Sequence, residues 1–171
     1  MEVKDREDKD IRQPDLKSMN MEELKDWVTG AGQPAFRAKQ IYQWFHVKLA
    51  DGTDEMTNLP KNLREKMDEY GIYGVSVVTR LISEDDGTNK FLFRLHDGNV
   101  IESVLMKYKH GNSVCISSQV GCRMGCRFCA STIGGLVRNL TASEMLSQIY
   151  SIQRLSLIHI SAPTRLQLIS Y

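Results

Sequence analysis

The 171-residue sequence has no cysteine before residue 115 and none after residue 129. It also lacks any apolar run near the ~18 residues that span a bilayer, so no membrane segment is expected. Its first ten residues, MEVKDREDKD, carry eight charges and no apolar core. That excludes the pattern of a secretory signal and argues for a reducing cytoplasm, where structural disulfides are disfavoured. Acidic residues are missing from Ser103 to Ser143. The formal net charge of +1 therefore divides unevenly, with −5 over residues 1–102 and +6 over residues 103–171. The acid-free window holds Lys107, Lys109, Arg123, Arg127 and Arg138 around the cysteines. Such a surface either favours a polyanion such as RNA or is simply a solvated basic face.

Residues 1–13 are a charge run expected to be disordered. Residues 14–74 predict three short amphipathic helices. Asn20 and Glu23 form a capping-box pattern ahead of Leu24, Trp27 and Val28, and Gly30 with Gly32 closes that helix. Pro34 opens the second, with Ala38, Ile41, Tyr42 and Phe45 on its buried side. Pro60 opens the third, with Leu63, Met67 and Tyr70 before Gly71. After Gly74 the period turns toward alternation, and VSVVTRLIS, KFLFRLH, NVIESVLMKYK and SVCISSQV read as strands separated by turn-forming DDGTN, DG and HGN. Gly134 and Gly135 mark a loop. Thr141 with Glu144 predicts a second capping box, followed by a helix with Met145, Ile149 and Ile152 buried. Strand, cysteine loop and helix make a βα unit, so the fold class is α/β, or α+β overall, with residues 75–154 as the second domain.

The cysteines sit in CISSQVGCRMGCRFC, residues 115–129. Cys122, Cys126 and Cys129 are spaced so that one loop can wrap three thiolates around one centre. Structural zinc takes four ligands, and a second paired knuckle is absent, so a zinc site would need Cys115 or a remote histidine. A three-cysteine iron-sulfur cluster would instead leave one iron open to substrate or cofactor. Reduced structural cysteines are the third reading. His46, His96, His110 and His159 have no ligand spacing and read as surface or turn residues.

The pattern CxxxCxFC resembles that of the radical S-adenosylmethionine enzymes, and SVCISSQVGCRMGCRFCASTIGGLVRNLT resembles the RlmN family of RNA adenine methyltransferases. AFRAKQIYQWF, EMTNLPKNLREKM and DGTNKFLFRLHDGNVIESVLM are similar to the same family, and the likeness runs from about Leu16 to Arg154. The resemblance implies the start of a radical-SAM (β/α) barrel. It implies a 4Fe-4S cluster on Cys122, Cys126 and Cys129, with S-adenosylmethionine at the open iron and an electron donor such as a flavodoxin-type reductant. The implied activity is methylation of C2 of adenine in 23S rRNA and in certain tRNAs through a methyl-cysteine. By the same resemblance Glu102 is the proton acceptor and Cys115 the redox thiol of a transient disulfide. Phe128 could shield the cluster, pack on the loop or face a bound nucleoside. Arg123, Arg127 and Arg138 are candidate RNA contacts, although Arg138 and Asn139 could equally serve the cofactor, a cap or the surface. A C8-methylating relative and a non-enzymatic zinc or RNA-binding module are the alternatives.

A hairpin turning at His110–Gly111 would set Met106 opposite Cys115 and Glu102 opposite Gln119. Strand alternation then puts all four on one face, where Glu102 stands among apolar residues that disfavour its charge; pairing with a lysine is the plain alternative. Residues 155–171 contain neither acid nor glycine and are expected not to be native family sequence. The methyl-carrying cysteine implied by the resemblance has no counterpart after Cys129, so this polypeptide is not expected to complete methyl transfer.

Overall fold

The computed structural model describes residues 15–157 and 166–168. The charged segment 1–13 and most of the tail, including His159, lie outside the described residues. The chain divides into two compact units between Ile72 and Tyr73.

The first unit contains α1 (Met21–Gly30), α2 (Phe36–His46) and α3 (Lys61–Tyr70), with single 3-10 turns at Leu16–Ser18 and Thr53–Glu55. The capping box of α1 is complete. Asn20 Oδ1 accepts the Glu22 and Glu23 amides at 2.8 and 3.0 Å, and Glu23 Oε2 accepts the Asn20 amide at 2.8 Å. Three of the helix's orphan groups are thereby satisfied locally. Pro60 stands just before α3 as its N-cap, and Gly71, at φ 112°, ends it in a conformation that costs glycine little. Leu24, Val28, Ala38, Ile41, Phe45, Leu63 and Met67 fill the core together with Leu16. Tyr42 departs from the expected stripe: it is exposed and meets the His46 ring in a tilted contact, with 4.3 Å between ring centroids. His46 in turn is half-buried rather than a surface residue. Burial and then the charge of Lys17 push its pKa below the ordinary histidine value.

The second unit begins as an antiparallel meander of β1 (Ser76–Ile82), β2 (Asn89–Arg94), β3 (Val100–Tyr108) and β4 (Gly111–Cys115). β5 (Gln119–Gly121) and β6 (Leu136–Asn139) pair in a second, two-stranded sheet, α4 (Ala142–Leu157) follows, and β7 (Leu166–Leu168) lies parallel to β4. Phe91, Phe93, Ile101, Leu105 and Val114 alternate onto one face of the meander and share a core with Ile152 of α4. The opposite face carries Lys90, Leu92, Glu102, Val104, Met106 and Cys115.

Two sequence expectations change here. The β3–β4 turn is Lys109–His110, one step earlier than His110–Gly111, so Cys115 faces Val104 and Met106 faces Ser113. Because the partner moves by two residues, an even number, Glu102 and Cys115 still share a face. SVCISSQV is also not one strand. It stops at Cys115 and resumes at Gln119 in the other sheet, so Gln119 pairs with Asn139 rather than Glu102. The break is possible because Gln148 of α4 takes both backbone groups of Ser117, accepting its N–H at 3.0 Å and donating to its carbonyl at 2.9 Å.

Asn20→Ala should lower the stability of the helical unit by about 1 kcal/mol, read as a lower urea midpoint for its transition, while Asn20→Asp should retain most of the cap.

Candidate functional site

β3 presents Glu102 to a groove of about 520 Å³ whose walls include Leu92, Val100, Ile116, Ser117, Ala130 and Ser131. The carboxylate is half-exposed, and its Oε2 lies 2.7 Å from Lys90 Nζ. It therefore stands in an ion pair rather than in the unrelieved apolar surroundings that the strand pattern suggested. The Ser117 hydroxyl donates to the Glu102 carbonyl at 2.7 Å, fixing the strand segment under the side chain. Cys115 ends β4 on the same face with an exposed thiol, and all four cysteines are free.

The cysteine loop leaves the second sheet at Gly121. This glycine has φ 73°, and a Cβ there would lie 1.9 Å from the Gly135 carbonyl oxygen. That approach closes the base of the loop, where the Cys122 N–H donates to the same oxygen at 3.1 Å. Only a residue without a side chain allows it. Within the loop the Cys129 amide donates to the Cys126 carbonyl at 3.1 Å, and the Thr132 hydroxyl lies 2.9 and 2.8 Å from the carbonyls of Cys126 and Cys129. Successive tight turns aim the side chains outward: Phe128 is 94 % exposed, and Arg123 and Arg127 are exposed.

Three thiols within eight residues are a soft donor set whose chemistry suits an iron-sulfur cluster or zinc. The expected nest of three thiolates is nonetheless not gathered: among the described residues no three Cys, His, Asp or Glu side chains form a group that could hold a metal ion. Backbone turns and the threonine anchor set this conformation of the loop. The donor chemistry fits the group, although the thiols are not gathered in this conformation.

Arg138, on β6, is not an available phosphate contact. Its guanidinium forks onto Glu144 with two bonds of 2.7 Å and reaches Asp97 Oδ2 from Nε at 2.8 Å. Glu144, 1 % exposed at its side chain, is also the second half of the capping box, accepting the Thr141 amide at 2.9 Å. His96 joins this cluster, stacked on Tyr73 at 4.3 Å with Nδ1 3.6 Å from Glu144. It is more than the turn residue its sequence position suggested. Burial pushes the Glu144 pKa up, but the Arg138 hydrogen bonds, the Thr141 amide and nearby positive charge outweigh it, leaving the carboxyl below its ordinary value. Asp97 is lowered likewise, with Asn99 and Arg138 overcoming its burial.

Comparison with known proteins places these features. A family model, the ribosomal RNA large subunit methyltransferase N-terminal domain, matches residues 14–72. A protein of Lachnoclostridium phytofermentans named probable dual-specificity RNA methyltransferase RlmN is 63% identical over 143 residues, covering 83% of this chain and 40% of that protein. The chain belongs to the RlmN family. A second RlmN relative, from Bacillus velezensis, is 49% identical over 83% of this chain and 39% of its own length. The crystal structure of a radical SAM methyltransferase from Sphaerobacter thermophilus superposes with a TM-score of 0.79 at 39% identity, covering 89% of this chain and 45% of that one. The mixed α/β fold thus matches the corresponding part of that radical SAM methyltransferase, and the chain spans about 40% of the length of the curated RlmN relatives it matches. Among the described residues no helix is long and apolar enough to cross a membrane.

Sequence reasoning missed Gln148, Ser103 and Asp97 as hydrogen-bonding partners around the groove and Arg138. The serines at 143, 147 and 151 and the pair Glu144 and Gln148 recur every four residues among the buried apolar positions of α4. That polar spacing was the available signal.

Arg138→Gln should lower stability at pH 7 by about 3 kcal/mol, because it strands a buried carboxylate. Since Glu144 and Asp97 are depressed in the folded chain, their contribution is complete above the ordinary values of 4.5 and 3.8 and is lost as pH falls through the folded values. Urea unfolding at a series of pH values should show a steep acid limb in the parent and a flatter one in Arg138→Gln; equal slopes would count against the assignment.

Proposed function

We propose that this chain supplies the RNA-positioning helical domain, the cluster loop and the proton-accepting strand of an RNA methyltransferase acting on C2 of adenine in 23S rRNA and certain tRNAs. The observation that carries the reading is the groove. It brings Glu102, on β3, together with Ser117, beyond Cys115, and with Ala130 and Ser131, which follow Cys129. Glu102 thereby shares a groove with residues next to the cysteine loop, which supports reading it, Cys115 and the cysteine triplet as parts of one site.

Cys122, Cys126 and Cys129 would hold a 4Fe-4S cluster through three thiolates. When bound, that cluster with S-adenosylmethionine supplies the one-electron chemistry needed to activate an otherwise inert carbon. The chain's own residues do the remaining work. Glu102 Oε1 or Oε2 takes the proton leaving the adenine carbon, with Lys90 orienting the carboxylate. Cys115, exposed on the same face, is the thiol that engages a partner sulfur when product is released. Phe128 offers an aromatic face to a nucleoside. Arg123 and Arg127, exposed at the loop surface, meet phosphate, and a flavodoxin-type protein is the class of reductant required.

Anaerobic reconstitution with iron and sulfide should load about four of each per chain and give a cluster signal in electron paramagnetic resonance after reduction. Cys126→Ala should lose most of both. Uptake of zinc without sulfide would sink the reading in favour of a zinc module.

A further inference from the structure

Gln148 is completely buried on α4, and its amide does more than satisfy the backbone of Ser117. Its hydrogen-bonding capacity is fully used. Oε1 accepts the Ser103 hydroxyl at 2.7 Å and the Ser117 amide at 3.0 Å. Nε2 donates to the Ser117 carbonyl at 2.9 Å and to the Glu144 carbonyl at 3.2 Å. Two lone pairs and two N–H groups are all that a primary amide has. The orientation is therefore determined, since a flipped amide would set its NH2 against the Ser117 N–H.

The partners are not arbitrary core groups. Ser103 follows Glu102 directly and points from β3 toward α4, as alternation requires of the residue beside one that faces the groove. Ser117 lies in the break between Cys115 and Gln119, and its hydroxyl returns to the Glu102 carbonyl at 2.7 Å. The adjacent Ser118 carbonyl accepts the Leu140 amide at 2.9 Å, joining the same segment to the end of β6. One side chain thus ties the proton-acceptor strand, the thiol-to-cluster segment and the helix behind them.

We propose that Gln148 is the positioning residue of the site, holding the Cys115–Cys122 segment in register with Glu102 from the far side of the sheet. It touches no reacting atom and acts through Ser103 and Ser117. The inference rests in part on the function proposed above, because the register matters if the cysteine loop and Glu102 work on one substrate.

The test uses the full chain in three variants. Gln148→Met keeps the volume and removes the amide. Ser103→Ala removes one bond without touching α4. Ile152→Ala, at another fully buried position of the same helix, is a control for general core damage. Hydrogen exchange should speed up about tenfold or more at the amides of Ser117, Cys122 and Leu140 in Gln148→Met, and less in Ser103→Ala, while the Phe93 and Ile101 amides keep their protection. Ile152→Ala should raise exchange broadly. After reconstitution, Gln148→Met should lose iron to a chelator about tenfold more readily and show a broadened cluster signal, whereas Ile152→Ala keeps the parent line shape. Unchanged exchange at Ser117 in both Gln148→Met and Ser103→Ala, or uniform acceleration matching Ile152→Ala, would overturn the proposal. If the parent chain takes up no iron, the cluster reading fails, and the exchange pattern decides the role of Gln148 by itself.

Discussion

The second unit depends on satisfying backbone groups where a strand is interrupted against a buried helix. Between Cys115 and Gln119 the chain leaves one sheet for another, so Ser117 has no ladder partner for its N–H or carbonyl. Each such group left unpaired in a dry setting costs about 1–3 kcal/mol, a large share of a small domain's net stability. An apolar side chain at position 148 would add contact area and leave two of these debts unmet. The buried glutamine meets both, and with them comes the freedom to aim the chain from the open face of the meander toward the cysteine loop.

Helix α4 is consequently two-natured. Ile152 buries apolar surface in the core shared with the sheet, with Met145 and Leu155 packed beside it, while Glu144 and Gln148 bury polar groups one helical turn apart. The two polar residues solve different problems. Glu144 carries a charge into a site that is 1 % exposed, and the forked Arg138 guanidinium, the Thr141 amide and the nearby His96 make that tolerable. Gln148 is neutral and needs complete hydrogen bonding but no counterion. The pair of Lys90 with Glu102 is different again. Both side chains are about half-exposed, so water screens their attraction and the contact contributes orientation more than stability.

The sequence was most legible where local rules and tertiary packing agree. The two capping boxes, Gly71 at the end of α3 and the alternation of β2 and β3 all formed as their residues imply. Each depends on neighbours within four residues or on a period of two. Arg138 was not legible, because its partners Asp97 and Glu144 lie 41 and six positions away and a lone arginine in a basic stretch looks like a phosphate contact. The break in SVCISSQV was hidden for a related reason. Its strand-forming pattern is continuous, and what interrupts it is a glutamine 31 residues further on.

The hairpin of β3 and β4 shows which errors of register matter for a site. Turning at Lys109–His110 rather than His110–Gly111 moves every cross-strand partner by two, so Cys115 loses Met106 and gains Val104. Had the turn differed by a single residue in length, Cys115 would have crossed to the α4 side beside Ile101 and Leu105, and Val114 would have left it. The core penalises that slip, because it would turn the buried Val114 outward while β3 stays in register with β2. A shift of two leaves both faces intact, so hydrophobic patterning cannot resist it. The exact partner of Cys115 is then left to the turn and to the fixed position of Ser117. Alternation thus decides that thiol and carboxylate share a face, and hydrogen bonding beyond the strand decides where along that face they stand.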